Sequence, residues 1–542
     1  MSENKPMNIG SRLELFVDDF LIDKKFNVER QIHNPEPKEV VIKFDEPWEG
    51  KISAYYTLLD DIVENSDGSK SKIIRMYYRA ADIDLESMKT KKTITNGQRT
   101  CYAESRDNGK TWIKPNLGLF EYDGSFDNNI IWTDIRGSEN FTPFIDTNPN
   151  CSPDAKYKAI GSRLNPYLLF AFKSADGINW DFLREEELLT FYHGKFDTQN
   201  IAFWNENLGK YCMFFRDYLD KNYNIGRGIK LCLSDDFIHW THFNWLKYGD
   251  NLNQQEYQLY TSSIQKYFRA PHILIGFPNR FNQQRQGWSG HPQSGVFDSI
   301  FMSSRDGFNW NRINEAIFRP GMQKKRWVSR NNLMALGMYQ TISDLDNNAD
   351  ELSVLSSEGY YLDTCALRRW SWRLDGFVSL RAGFNEGDII TKTFVFSGKV
   401  LFVNLSTSAM GWLKVEILDG LNGKPLPGFQ LINCHEIFGD SCRKMVAWKP
   451  RAFHEERTVE VPRKVYINSD TGHMIQESEI DPDLDFDDKA YVAKTIMIKE
   501  KRRYRSMGHG YNIKDLAGRP IKLRFRMKDC DLYSFIFSDR LF

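Results

Sequence analysis

The 542-residue sequence has no excess of charge of either sign: Lys+Arg and Asp+Glu both total 72. A chain held mainly by phosphates or by an anionic membrane surface carries a basic surplus, so nucleic acid and lipid headgroups are excluded as principal partners. No apolar run approaches the length of a membrane span. The start, MSENKPMNIGSRLELF, lacks a basic segment followed by an apolar one; the expectation is a chain without a secretory signal, located in the cytoplasm. The eight cysteines are scattered, with no CxxC and no Cys/His ligand spacing, which predicts reduced thiols rather than a disulfide framework or a zinc site. Helical periodicity is nearly missing as well. The aspartates of DPDLDFDDK (481–489) lack the Gly at position six and the Glu at position twelve of a calcium loop. No metal and no cofactor is therefore expected.

What the chain does have is a recurring motif. SRDNGKTW starts at Ser105, SADGINW at Ser174, SDDFIHW at Ser234 and SRDGFNW at Ser304, with starts 69, 60 and 70 residues apart. A period of that size denotes stacked supersecondary units. Within each copy the Asp carboxylate is suited to bind backbone N–H groups across a tight turn, and the Trp to plug between neighbouring sheets. Short apolar strands lie between the motifs, three before each turn. A fifth set, NNLMALGMY, ELSVLSSEGYY and CALRRWSWRLDGF, keeps the rhythm without the motif. The reading is all-β: a five-bladed β-propeller over 1–384, followed by a β-sandwich over 385–542 that is interrupted by a charged insertion at about 450–514.

Strand direction locates the site. If the motif turns lie at the lower face, inner strands start, and second strands end, at the upper face. Innermost-strand starts supply Asp45, Trp48 and Glu49 (FDEPWEG), Asp127 (FDNN), Asp197 (FDTQN) and Glu256 (NQQEYQ). Second-strand ends supply Arg79, Arg163, Arg216 with Asp217, and Arg280; Arg330 precedes the fifth set, and Trp288 and His291 lie in a loop on the same side. Carboxyls ringed by arginines and aromatics suit a carbohydrate substrate, two acids flanking the scissile bond. A structural reading stands beside this one: Asp caps strand starts, Arg bridges blades, and duplication repeats both.

The motif array resembles the Asp boxes of sialidase-type propellers. Five blades with a trailing sandwich resemble the invertase/levanase fructosidases and the arabinanase/xylosidase propellers. FDTQNIAFWNENLGKY (196–211) is similar to the fructosidase segment whose Asp stabilises an oxocarbenium-like transition state, which implies that role for Asp197. The expectation is a glycoside hydrolase acting on an oligosaccharide. Glu49 or Asp45 would be nucleophile or base and Glu256 the acid, with Glu49, Asp127 and Asp197 as the alternative set. The rivals are a non-catalytic carbohydrate-binding propeller and a lyase on an acidic polysaccharide.

Overall fold

The computed structural model describes residues 6–540 apart from 65–66, 85–96, 221, 223–224, 251, 253–256, 288–294, 344–349, 450–451, 469–470, 477–490, 508–509 and 511. The described chain is all-β, with a propeller-like ring of antiparallel sheets and further sheets outside it. In the ring the first sheet comprises Ala54–Glu64, Lys70–Ala80, Arg99–Ser105 and Ile130–Trp132. The second has Glu139–Ile145, Tyr157–Leu164, Tyr167–Ser174 and Asp181–Phe182 as its main path. Ile201–Asn205, Lys210–Asp220, Ile225–Ser234 and Trp240–Trp245 make the third. In the fourth sheet the inner two strands are each broken, the second of them at Pro278, before Val296–Ser304 and Asn309–Phe318 complete it. Proline lacks the N–H that a continuous ladder needs. The fifth sheet contains Tyr339–Ile342, Asp350–Glu358 and Ala366–Arg373.

The outermost strand of the fifth sheet is Glu36–Lys43, which pairs antiparallel with Ala366–Arg373. The first and fifth sheets also touch at their inner edges, where the Leu58 N–H donates to Leu336 O (2.7 Å) and the Leu336 N–H to Tyr56 O (2.9 Å). The first and fifth sheets are thus joined at this contact, while Glu36–Lys43 ties an early segment to the fifth sheet.

The four sequence motifs all lie between the third and fourth strands of their sheets. Ser174 and Asp176 illustrate the pattern: the Ser174 hydroxyl donates to Asp176, whose carboxylate accepts from the Ile178 and Asn179 N–H groups at 2.8 Å. The Trp180 indole N–H donates to Gly177 O. The same bonds recur around Asp236 and Asp306. Gly177 and Gly307 occupy the left-handed region, and Phe237 does so in the third copy (φ +69°). Trp180 packs edge-on against Tyr77 of the preceding sheet, and Trp310 against Phe214. Each motif therefore ties one sheet to its neighbour.

Outside the ring, one ten-stranded sheet gathers both ends of the chain. Its long strands Val400–Asp419 and Ile521–Ser538 pair along their length, with a register shift between Thr407 and Trp412. Leu401, Val403 and Leu405 before that shift share one core with Leu413, Val415 and Ile417 after it. In the region expected to be a sandwich, these strands belong to one hydrogen-bonded sheet with a register shift midway along its long pair. Residues 7–32 also join this sheet: Met7–Gly10 pairs with Phe394–Phe396, and Glu29–Ile32 with Val378–Ala382. In the charged insertion, Ala452–Asn468 pairs with Tyr491–Met507 through seventeen consecutive rungs from Ala452↔Met507 to Asn468↔Tyr491; the aspartates of 481–489 lie outside the described residues. All eight cysteines are free thiols. Among the described residues no helix is long and apolar enough to cross a membrane.

Candidate functional site

Five residues from the inner strands of the five sheets, or from the segments next to them, interact with one another: Tyr55, Glu139, Asp197, Tyr260 and Arg330. Second-strand ends add Arg79 and Arg216, and the turn after Asp350–Glu358 adds Tyr360. The Arg79 guanidinium lies 3.4 Å from Glu139, donates to the Tyr360 hydroxyl (3.0 Å) and sits 4.8 Å from the Tyr55 ring centre. Arg330 reaches the same Tyr360 hydroxyl at 3.4 Å. Arg216 lies 3.3 Å from Asp197 and 4.9 Å from the Tyr260 ring centre. The Asp197 side chain is 30% exposed against 2% for Arg216, so Asp197 faces the opening and Arg216 the floor.

Two β-bulges shape this mouth. The register shifts between Ala54 and Thr57 and between Glu139 and Thr142, and the extra residues Tyr55 and Asn140 have left-handed backbone (φ +58° and +57°). Arg330 and Tyr361 share that conformation. Left-handed non-glycine backbone costs energy and concentrates where a site must be held in one shape.

Burial raises the Glu139 pKa, with the Asp197 charge adding to it, against the lowering effect of Arg79 and Arg330. Tyr260 is shifted the other way: burial works to raise it, but Arg330 and Arg216 hold it below the usual phenol range. Of the two carboxyls in this cluster, Glu139 is the more buried and Asp197 the more exposed.

Of the residues expected from sequence, Asp197, Arg79, Arg216 and Arg330 come together here. Glu49 does not join them. Its fully buried carboxylate accepts from the Tyr78 hydroxyl (2.5 Å), Lys114 (2.7 Å) and the Glu46 N–H (3.1 Å). Asp45 is exposed, 3.7 Å from Lys114. Trp48 donates to Asn129, and Asp127 is exposed and accepts from Asn116. The Arg163 Nε donates to Asn165 O. Asp217 pairs with Lys230 across the strand pair (2.7 Å). Arg280 forms a two-armed ion pair with Asp298 and lines a separate cavity of about 350 Å³ with Tyr257, Phe281 and Trp327. Glu256, Trp288 and His291 lie outside the described residues.

Sequence reasoning missed Glu139, Tyr55, Tyr260 and Tyr360. The expectation for Asp127 needs the strand after FDNN to be the inner strand of the second sheet. Ile130–Trp132 is instead the outer strand of the first, and ENFTPFI begins the second. That strand is buried on both faces and contains Pro143, so it shows neither alternation nor a clean β signature. Among the described residues no group of three or more His, Cys, Asp or Glu is arranged to hold a metal ion.

No family model and no curated sequence matches the chain. Among solved structures it is similar to a protein titled a glycoside hydrolase, at 13% identity and TM-score 0.38 over 63% of this chain and 92% of that one. It is similar also to an endo-arabinase from Bacteroides thetaiotaomicron (9% identity, TM-score 0.34, covering 62% and 98%). A third similarity, at 8% identity and TM-score 0.35 over 92% and 100%, is to an exo-β-1,3-galactanase from Phanerochaete chrysosporium.

Proposed function

We propose that the chain is a glycoside hydrolase acting on an oligosaccharide at the mouth of a five-bladed ring. The observation that carries this reading is the pairing of Glu139, kept toward its neutral form by burial, with the accessible carboxylate of Asp197 in one arginine-lined pocket. In hydrolysis Glu139 gives its proton to the glycosidic oxygen as the C–O bond breaks. Asp197 stabilises the positive charge that develops on the sugar ring, water adds to the anomeric carbon, and its surplus proton restores Glu139. The ring, within 1–384, is the catalytic unit; residues 385–542 form the accompanying domain.

The test is a screen of aryl glycosides and plant or algal oligosaccharides with wild type, Glu139→Gln and Asp197→Ala. Each substitution is expected to lower kcat/KM by about a hundredfold or more, the usual contribution of an acid–base group. Activity that survives both changes removes the assignment. A second reading is elimination by a lyase on an acidic polysaccharide, with Tyr260, which lies between Arg216 and Arg330, as the base. An unsaturated product that depends on Tyr260 and not on Glu139 selects it.

A further inference from the structure

Positive charge exceeds negative charge in the pocket, and the excess is buried. Arg79, Arg216 and Arg330 face two carboxyl groups, Glu139 and Asp197. Arg227 extends the set, its guanidinium 5.8 Å from the Tyr260 ring centre and bonded to Gln258, a neutral side chain. Among the described residues the Arg79 Nε, the Arg216 Nε and Nη1 and the Arg227 Nε have no hydrogen-bond partner, although each atom is inaccessible to water. Leaving a buried cationic donor unsatisfied is costly. Arg280, by contrast, has both arms on Asp298, which shows what a purely structural arginine looks like in this ring. Arg79 and Arg216 each reach one carboxyl with a single nitrogen, and their other neighbours are neutral: Tyr360 stands between Arg79 and Arg330, and Tyr260 between Arg216 and Arg330.

We infer that this pocket binds a sugar through an oxyanion substituent, a uronate carboxylate or a sulfate ester, clamped by Arg79, Arg216 and Arg330. The inference rests on the glycan-binding reading above and names its substrate class. A guanidinium presents parallel N–H groups that match two oxygens of either group. The buried tyrosines hold the guanidinium groups in place, Tyr55 under Arg79 and Tyr260 under Arg216. Glu139 and Asp197 then lie beside the bond adjoining an acidic residue.

Calorimetry on the full chain tests this without requiring turnover. The probes are trimers of galacturonate, glucuronate and mannuronate, their methyl esters, and a sulfated galactotriose. At least one acidic trimer is expected to bind about tenfold more tightly than its neutral ester, and added salt is expected to weaken the acid alone. Arg216→Met and Arg79→Met are expected to abolish that preference. Should either variant fail to fold by its melting curve, the salt dependence of wild type still decides. Tighter binding of the sulfated probe assigns the oxyanion as sulfate. Equal affinity for acids and esters without tighter binding of the sulfated probe, binding of no acidic probe, or a preference that survives both substitutions overturns the inference. Selective binding of an acidic probe with no hydrolysis of any substrate keeps the clamp and removes the hydrolase reading. Hydrolysis of neutral glycosides with no acidic preference does the reverse.

Discussion

Glu49 and Glu139 are both buried, and burial raises the pKa of each. Their surroundings assign them different work. Glu49 accepts from Tyr78, Lys114 and a backbone N–H, whereas Glu139 has Arg79 on one side and Asp197 acting on it from the pocket. Glu49→Gln is expected to lower stability by about 1–3 kcal/mol by breaking a buried network, leaving kcat/KM within about threefold of wild type; thermal melts and kinetics check both. The general acid must be protonated, so activity is expected to fall as pH rises through the raised Glu139 pKa. Arg79 lowers that pKa, so Arg79→Met should move the alkaline limb of the kcat/KM profile upward. A limb that stays put or moves down removes Glu139 as the acid. At this scale the sequence shows half of the pocket. Arg79, Arg216 and Asp197 end or precede strands whose apolar runs are plain. Glu139 and Tyr55 are hidden because their bulges use non-glycine left-handed residues, which carry no sequence mark. Arg280 occupies the same kind of position as Arg216, but its register partner is Asp298, and cross-strand pairing cannot be read along one strand.

The turn motifs were the most legible elements, since one carboxylate organises each from within five residues of sequence. Asp306 illustrates the strength of the device: it accepts from Ser304, two backbone N–H groups and the Asn309 amide. Asp306→Ala is expected to cost about 1–2 kcal/mol, as for other lost side-chain-to-backbone caps. Trp310→Ala removes a buried side chain between two sheets and should cost about 3–5 kcal/mol. Chemical denaturation checks the order; an equal loss from both would mean that the turn, not the wedge, joins the sheets. Sheet membership was less legible than turn position. A strand such as Ile130–Trp132 is three residues long, and its affiliation is decided by which neighbour it reaches.

Across the whole molecule, the segment Glu14–Asp18 fastens the C-terminal sheet to the ring. The Glu14 carboxylate meets Arg12 at 2.6 Å, Arg305 at 3.0 Å and His272 at 3.4 Å, and Asp18 meets Arg305 at 2.7 Å. Burial works to raise the Glu14 pKa, but His272, Arg305 and Arg12 outweigh it and hold it at about 2. A depressed carboxyl stabilises the fold fully above its unfolded value of 4.5 and loses that contribution as pH falls toward 2. The loss amounts to about 3 kcal/mol. Wild type should therefore lose stability over that window more steeply than Glu14→Gln, which is less stable at neutral pH; parallel pH-stability curves would dismiss the linkage. The sequence did not disclose this fastening, because its partners are 291 residues apart.

The strand Glu36–Lys43 has a temporal consequence. Lys38 O accepts from Arg368, 330 residues later in the chain. During synthesis that strand leaves the ribosome long before its partner at Ala366–Arg373 exists, so it waits unpaired until about two thirds of the 542 residues have been made. Pairing of so distant a partner makes this a late, long-range step of folding.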